Sequence, residues 1–179
     1  MIFTKTKIAG IYIVDPEPKV DERGYFERVY CINEFSNQGI DFKIVQVNQA
    51  LTKKKGTIRG PHIQKTPYNE GKFVQCIKGS IFDVAIDLRP NSKTFGAWIG
   101  NVLSFKNKKM MLIPKGFAHG YQALENNTIM QYGVSQYYHA ESVIGIRYDD
   151  SYFNIQWPIK RVFVSDIDKS WPLFKKKNK

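Results

Sequence analysis

Gly71-Lys72-Phe73-Val74-Gln75-Cys76-Ile77-Lys78-Gly79-Ser80-Ile81-Phe82-Asp83-Val84-Ala85-Ile86-Asp87-Leu88 holds two runs of β-branched and aromatic residues that meet at Gly79. Near alternation over a short run is the period of a strand. A glycine between two such runs marks a turn. The pattern therefore predicts strands at 71–77 and 81–88, and comparable runs predict others at 8–14, 42–47, 97–103, 109–113, 128–134 and 144–148. Short strands at this spacing, punctuated by Gly79, Gly96, Gly100, Gly116 and Gly120, are the sequence form of an all-β sandwich or barrel. Helical periodicity is scarce, and 33–38 is the best candidate for a short helix. From Trp157 onward, WPIKRVFVSDIDKSWPLF reads as an extended arm that packs its aromatics on the body, and the Lys-rich residues 175–179 read as a disordered tail.

The 179 residues suffice for one buried core and are few for two, so 1–174 is expected to form a single domain. No stretch approaches the ~20 apolar residues that cross a bilayer. The N-terminus MIFTKTKIAGIYIV lacks the layout of a signal peptide, which makes the cytoplasm the expected compartment and leaves no role for a membrane. Cys31 and Cys76 belong to no CxxC pair and are expected to be ordinary core or half-buried residues. The net charge of +11 invites a nucleic-acid reading. Much of the excess, however, falls in Lys53-Lys54-Lys55, Lys106 with Lys108-Lys109, and Lys175-Lys176-Lys177, runs that read as solvated loops or tail. A small molecule bearing a diphosphate is drawn by the same field, so no nucleic-acid partner is expected.

Three histidines are available for chemistry. His62 lies in Ile58-Arg59-Gly60-Pro61-His62-Ile63-Gln64, at the start of an expected strand. His119 lies in Pro114-Lys115-Gly116-Phe117-Ala118-His119-Gly120, which reads as a glycine-flanked turn between strands. His139 follows Tyr137-Tyr138 and reads as a loop residue. A jelly roll with histidines first suggests a metal-binding cupin. Such a site needs several converging ligands, typically two histidines two residues apart on one strand. No HxH occurs in the chain, so no metal site is predicted.

Eight motifs in one order say more. Asp21-Glu22-Arg23-Gly24-Tyr25-Phe26, Gln46-Val47-Asn48, Arg59 to Gln64, Gly71-Lys72-Phe73-Val74, Gly79 to Arg89, Thr94-Phe95-Gly96, Pro114 to Gly120 and Ser165-Asp166-Ile167-Asp168 span nearly the whole chain. Together, over about residues 5 to 173, they resemble the dTDP-4-dehydrorhamnose 3,5-epimerase family. The resemblance implies a homodimeric, cupin-type double-stranded β-helix (jelly roll) whose cavity holds a nucleotide-diphosphate 4-keto sugar, without metal or organic cofactor. It implies inversion of carbon 3, carbon 5 or both, in the synthesis of cell-surface polysaccharide precursors. A ketone at carbon 4 acidifies the neighbouring hydrogens, so the reaction needs a base, an acid on the opposite face and a cation near the developing oxyanion. By the resemblance His62 is the base, Asp168 the carboxylate that orients it, Lys72 the cation and Tyr132 the acid. Arg23, Phe26, Gln46, Asn48 and Arg59 match positions that hold nucleotide or sugar, and His119 a pocket histidine of binding or support. Guanidinium forks suit phosphate oxygens, which gives Arg23 and Arg59 a physical reason to be there. Arg23 and Phe26 are also open to service in a neighbouring subunit's pocket, through exchange of an N-terminal strand.

Two departures stand out. The histidine is flanked by Pro61 and Ile63, where the family carries a larger apolar residue and an aromatic; Pro61 fixes its own φ and lacks an N–H, which bears on how base and sugar meet. In addition, Glu27-Arg28 follows Arg23-Gly24-Tyr25-Phe26, near where the family places a carboxylate against the thymine edge. If Arg28 takes that slot, it donates to O6 and N7 of guanine, as in a GDP-4-keto-heptose epimerase branch; if Glu27 does, the thymine reading stands. A 3,4-ketoisomerase of the same architecture and a non-catalytic sugar-binding jelly roll are the competing readings.

Overall fold

The computed structural model describes residues 1–175. In chain order the strands are β1 (Ile2–Lys5), β2 (Tyr12–Asp15), β3 (Lys19–Asp21), β4 (Gly24–Phe26), β5 (Gln46–Thr52), β6 (Ile58–Gln64), β7 (Lys72–Lys78), β8 (Ser80–Asp87), β9 (Trp98–Ser104), β10 (Met110–Ile113), β11 (Phe117–Ala123), β12 (Thr128–Val134) and β13 (Val143–Gly145). Two short α-helices, α1 (Ile32–Asn37) and α2 (Asp166–Ser170), and a 3-10 turn at Ala140–Ser142 accompany them. One antiparallel sheet runs β1-β2-β10-β7-β12-β5, a second β13-β6-β11-β8-β9, and β3-β4 form a separate hairpin. The chain is thus all-β, with the two facing sheets of a jelly roll.

Alternation along the strands explains how the layers meet. On β8, Ile81 and Ala85 point between the sheets, where they join Val74, Cys76, Met111 and Met130 of the first sheet and Leu103, Phe117 and Tyr121 of the second. The intervening Val84 and Ile86 point outward and are covered by Phe153, Ile155 and Trp157. On the other outer face, Phe35 of α1 and Phe42 cover Phe73, Met110 and Leu112. Because both faces of the central strands are buried, those strands read as nearly continuous apolar runs. Cys76 lies in the core and Cys31 is half-buried, as expected; burial pushes the Cys76 thiol up to about 11.

Several expectations need correction. The stretch 114–120, expected to be a turn, enters at Phe117 a fully buried strand of the second sheet, Phe117–Ala123. The glycines there serve close packing. A side chain on Gly120 would stand 2.8 Å from the Arg59 carbonyl, and Gly60, at φ +79°, lies equally tight against the His119 carbonyl. Residues 42–45 precede β5 instead of forming a strand, and β5 continues to Thr52. Within the terminal arm, 166–170 coil into α2 because the Ser165 hydroxyl caps it, accepting from the Asp168 N–H at 3.1 Å. Around it the arm does pack its aromatics, with Trp157 buried and Phe174 against the same cluster. Lys53, Lys54 and Lys55 are solvated, whereas Lys108 and Lys109 are pinned by Glu27 and Asp15 at 3.1 and 2.9 Å. Of the expected tail, residues 176–179 lie outside the described ones.

Candidate active site

A cavity of about 490 Å³ opens between the sheets. The first sheet lines it with Gln46 and Asn48 of β5, Lys72 of β7 and Tyr132 and Val134 of β12; the second supplies Arg59, His62 and Gln64 of β6 and Val143 of β13. α2 closes one side with Asp168, beside Ser165, Ile167 and Trp171.

The centre of the site is a histidine and a carboxylate that are 106 residues apart in sequence. His62 Nε2 lies 2.5 Å from Asp168 Oδ1, and the Gly60 N–H donates to Asp168 Oδ2 at 3.2 Å. With the serine cap fixing the backbone of Asp168, both of its oxygens are occupied. Burial would raise its carboxyl, but the hydrogen bonds and charge of His62 and the Gly60 N–H outweigh this and hold it below the usual carboxylate value. An ionised Asp168 calls for the tautomer with hydrogen on Nε2, which leaves Nδ1 as the basic atom of the ring.

From the opposite sheet, Tyr132 pairs in register with Asn48 on one side and Val74 on the other, so that it shares a face with Lys72. Burial, and then the Glu70 carboxylate, push its phenol above the ordinary tyrosine value. It therefore holds a proton at neutral pH. Lys72 is buried with its ammonium 3.0 Å from Glu70. Of the predicted binding residues, Gln46, Asn48 and Arg59 line this cavity, with Gln46 donating to Asn48 at 2.9 Å and Arg59 to the Leu51 carbonyl at 3.1 Å.

Other predicted residues lie elsewhere. His119 pairs directly with His62 across β11 and β6 but does not line the cavity; its Nε2 meets the buried Asp83 at 2.7 Å. Arg23 sits on the exposed β3–β4 hairpin, bound to Asp21 at 2.6 Å, and Phe26 is 69% exposed there. Arg28 reaches Glu34 at 2.8 Å and remains exposed, lining a surface groove with Phe26, while Glu27 turns inward to Lys108. Pro61 is buried and follows a cis peptide bond, and His62 reaches Asp168 beside it. Glu70, Tyr138 and Trp171 line the cavity without having been foreseen. Glu70 had a signal, since it stands two residues before Lys72 and next to Gly71. Trp171 had none, because only the turn of α2 carries it inward. Among the described residues, no group of three His, Cys, Asp or Glu side chains gathers as a metal ion requires, and no helix is long and apolar enough to cross a membrane.

Comparison with known proteins agrees with this geometry. A family model described as dTDP-4-dehydrorhamnose 3,5-epimerase matches residues 5–176. The curated dTDP-4-dehydrorhamnose 3,5-epimerase of Methanothermobacter thermautotrophicus is 41% identical over 172 residues, covering 94% of this chain and 92% of its own. The crystal structure of the enzyme of that name from Elizabethkingia anophelis superposes with a TM-score of 0.94 at 37% identity, covering 100% of this chain and 99% of the other. The Legionella pneumophila epimerase in complex with dTDP-4-keto-L-rhamnose gives a TM-score of 0.91 at 37% identity, covering 96% and 92%. With a histidine–aspartate pair, a lysine and a tyrosine converging in the mouth of a jelly roll, and with these matches along nearly its whole length, the chain belongs to the dTDP-4-dehydrorhamnose 3,5-epimerase family.

Proposed function

We propose that this protein is an isomerase that inverts carbon 3, carbon 5 or both of a nucleotide-linked 4-keto sugar. One observation carries the reading: His62, held by Asp168 at 2.5 Å, shares a cavity with Lys72 and with a protonated Tyr132 from the opposite sheet. Nδ1 of His62 takes the hydrogen beside the ketone, and the C–H electron pair moves into the ring to form an enolate. Asp168 stabilises the imidazolium so formed. The Lys72 ammonium meets the negative charge on the carbon-4 oxygen. Tyr132 then returns a proton from the other face, giving the inverted centre, and solvent restores both side chains. Gln46, Asn48 and Arg59 hold the sugar or its diphosphate.

Residues 1–174 are proposed to act as one unit in a cytoplasmic homodimer, supplying precursors of cell-surface polysaccharide. Arg23 and Phe26 stand exposed on their hairpin, which supports their service in the pocket of a second copy. The nucleotide is dTDP in the names of the relatives. Arg28, which lines one surface groove with Phe26 while Glu27 is paired to Lys108, supports guanine if that groove receives the base, since it donates to O6 and N7; with Glu27 in that slot the thymine reading stands. The test is solvent deuterium incorporation in D2O, followed by proton NMR with dTDP- and GDP-linked 4-keto sugars offered separately. Exchange at carbon 3 or 5, lost in His62→Ala and with the ketone still at carbon 4, is the expected result. Exchange with neither sugar overturns the reading, and migration of the ketone replaces it with ketoisomerisation.

A further inference from the structure

We propose that Glu70 is a positioning residue of this site: its carboxylate ties the Lys72 ammonium to the Gln64 carboxamide and places a negative charge beside Tyr132. The inference rests on the epimerase reading above. Glu70 closes the β6–β7 connection, and its side chain is only 9% exposed. One oxygen lies 3.0 Å from Lys72 Nζ, and the other accepts from Gln64 Nε2. Gln64 stands two residues after His62 on β6, so both point to one face. Its second N–H donates to the Tyr68 carbonyl at 2.9 Å, and its oxygen accepts from the His139 N–H at 2.6 Å. Through Glu70 the cation is thereby locked to the strand that carries the base.

A long lysine side chain loses about 1.5–2 kcal/mol of rotamer freedom when held still. A carboxylate that orders it before substrate arrives leaves less of that cost to the transition state. The second effect is electrostatic. The groups around Tyr132 are Glu70 and Lys72, Arg59 and His62 of β6, Asp168 of α2, Tyr121 of β11 and Tyr138 beyond β12. After burial, Glu70 contributes most to keeping the phenol protonated, against Arg59.

Glu70→Gln keeps the size of the side chain and removes the charge. Two measurements on the full chain test it. The first is the pH dependence of epimer formation, with kcat and KM separated. The second is the ultraviolet titration of Tyr132, read as the difference between the Glu70 variant and the same variant carrying Tyr132→Phe, which needs no substrate. The expected result is a kcat lower by about tenfold with KM within about threefold, and a Tyr132 titration moved downward from that of the wild type. Glu70→Asp, which retains the charge, should keep the titration of the wild type even where kcat falls. An unmoved titration in folded Glu70→Gln overturns the proposal. Should wild-type protein show no exchange, the epimerase reading fails, and the titration alone still decides whether Glu70 governs Tyr132. If Glu70→Gln does not fold, Glu70→Asp decides, since a Tyr132 titration displaced as far as burial alone would leave it contradicts the assigned charge effect.

Discussion

Asp168→Asn isolates what the carboxylate gives to His62. The substitution is nearly isosteric, and the Ser165 cap acts on the backbone of residue 168, so α2 is retained. Asp168 accepts two hydrogen bonds, from His62 at 2.5 Å and from the Gly60 N–H at 3.2 Å. An amide has one oxygen for these two donors. If the oxygen faces His62, the NH2 group opposes the Gly60 N–H and the imidazolium loses its counter-charge. A charge-assisted hydrogen bond is worth roughly 1.5–3 kcal/mol, which at about 1.4 kcal/mol per tenfold predicts a rate lower by about 10- to 100-fold. If the oxygen faces Gly60, the NH2 group donates to Nε2 and forces the proton onto Nδ1, the atom that should abstract; losses toward 10⁴-fold then follow, as in other His–Asp pairs. The assay is the initial rate of deuterium entry at carbon 3 or 5 under saturating substrate. A rate within threefold of wild type in folded Asp168→Asn would refute the assignment of Asp168 as the partner of the base.

The same carboxylate sets an acid limit. Its folded value is lowered from 3.8, so its stabilising contribution is complete above that value and is lost as pH falls through the depressed folded one. Melting curves between about pH 5 and 2 should therefore decline less steeply for Asp168→Asn than for wild type. Tyr132→Phe removes the acid but leaves the base; exchange of the first hydrogen should persist, returned from the side it left, while inverted product falls by about 100-fold or more in NMR time courses. Phe35→Ala empties a fully buried position that touches the rings of Phe3, Tyr30, Phe42 and Phe73. Urea denaturation should show a loss of about 3–5 kcal/mol, with the cavity chemistry unchanged in the folded fraction.

The legibility of the molecule was uneven. The 71–88 runs announced strands because β-branched and aromatic residues alternated around a glycine, and they form β7 and β8. The run around His119 concealed a strand because its glycines looked like turn residues. Their use is to let β6 and β11 approach within backbone contact, which local propensity does not express. The N-cap of α2 was written in Ser165-Asp166-Ile167-Asp168, although the surrounding prolines and aromatics suggested extended chain.

By itself the sequence determined the all-β class and the order of the motifs, which are local matters of period, residue type and spacing. His62, Lys72, Tyr132 and Asp168 were named through the family resemblance that those motifs carry. Tertiary structure supplied the contact across 106 positions that joins His62 to Asp168, a pairing the resemblance implied, and it alone decided that Glu70 claims Lys72 and that His119 turns to Asp83 behind the base. It also separated Arg23 and Phe26 from the cavity of their own chain. The physical reason is that hydrogen-bond partners are assigned by the packing of two sheets and a terminal helix, whose long-range register no stretch of sequence contains.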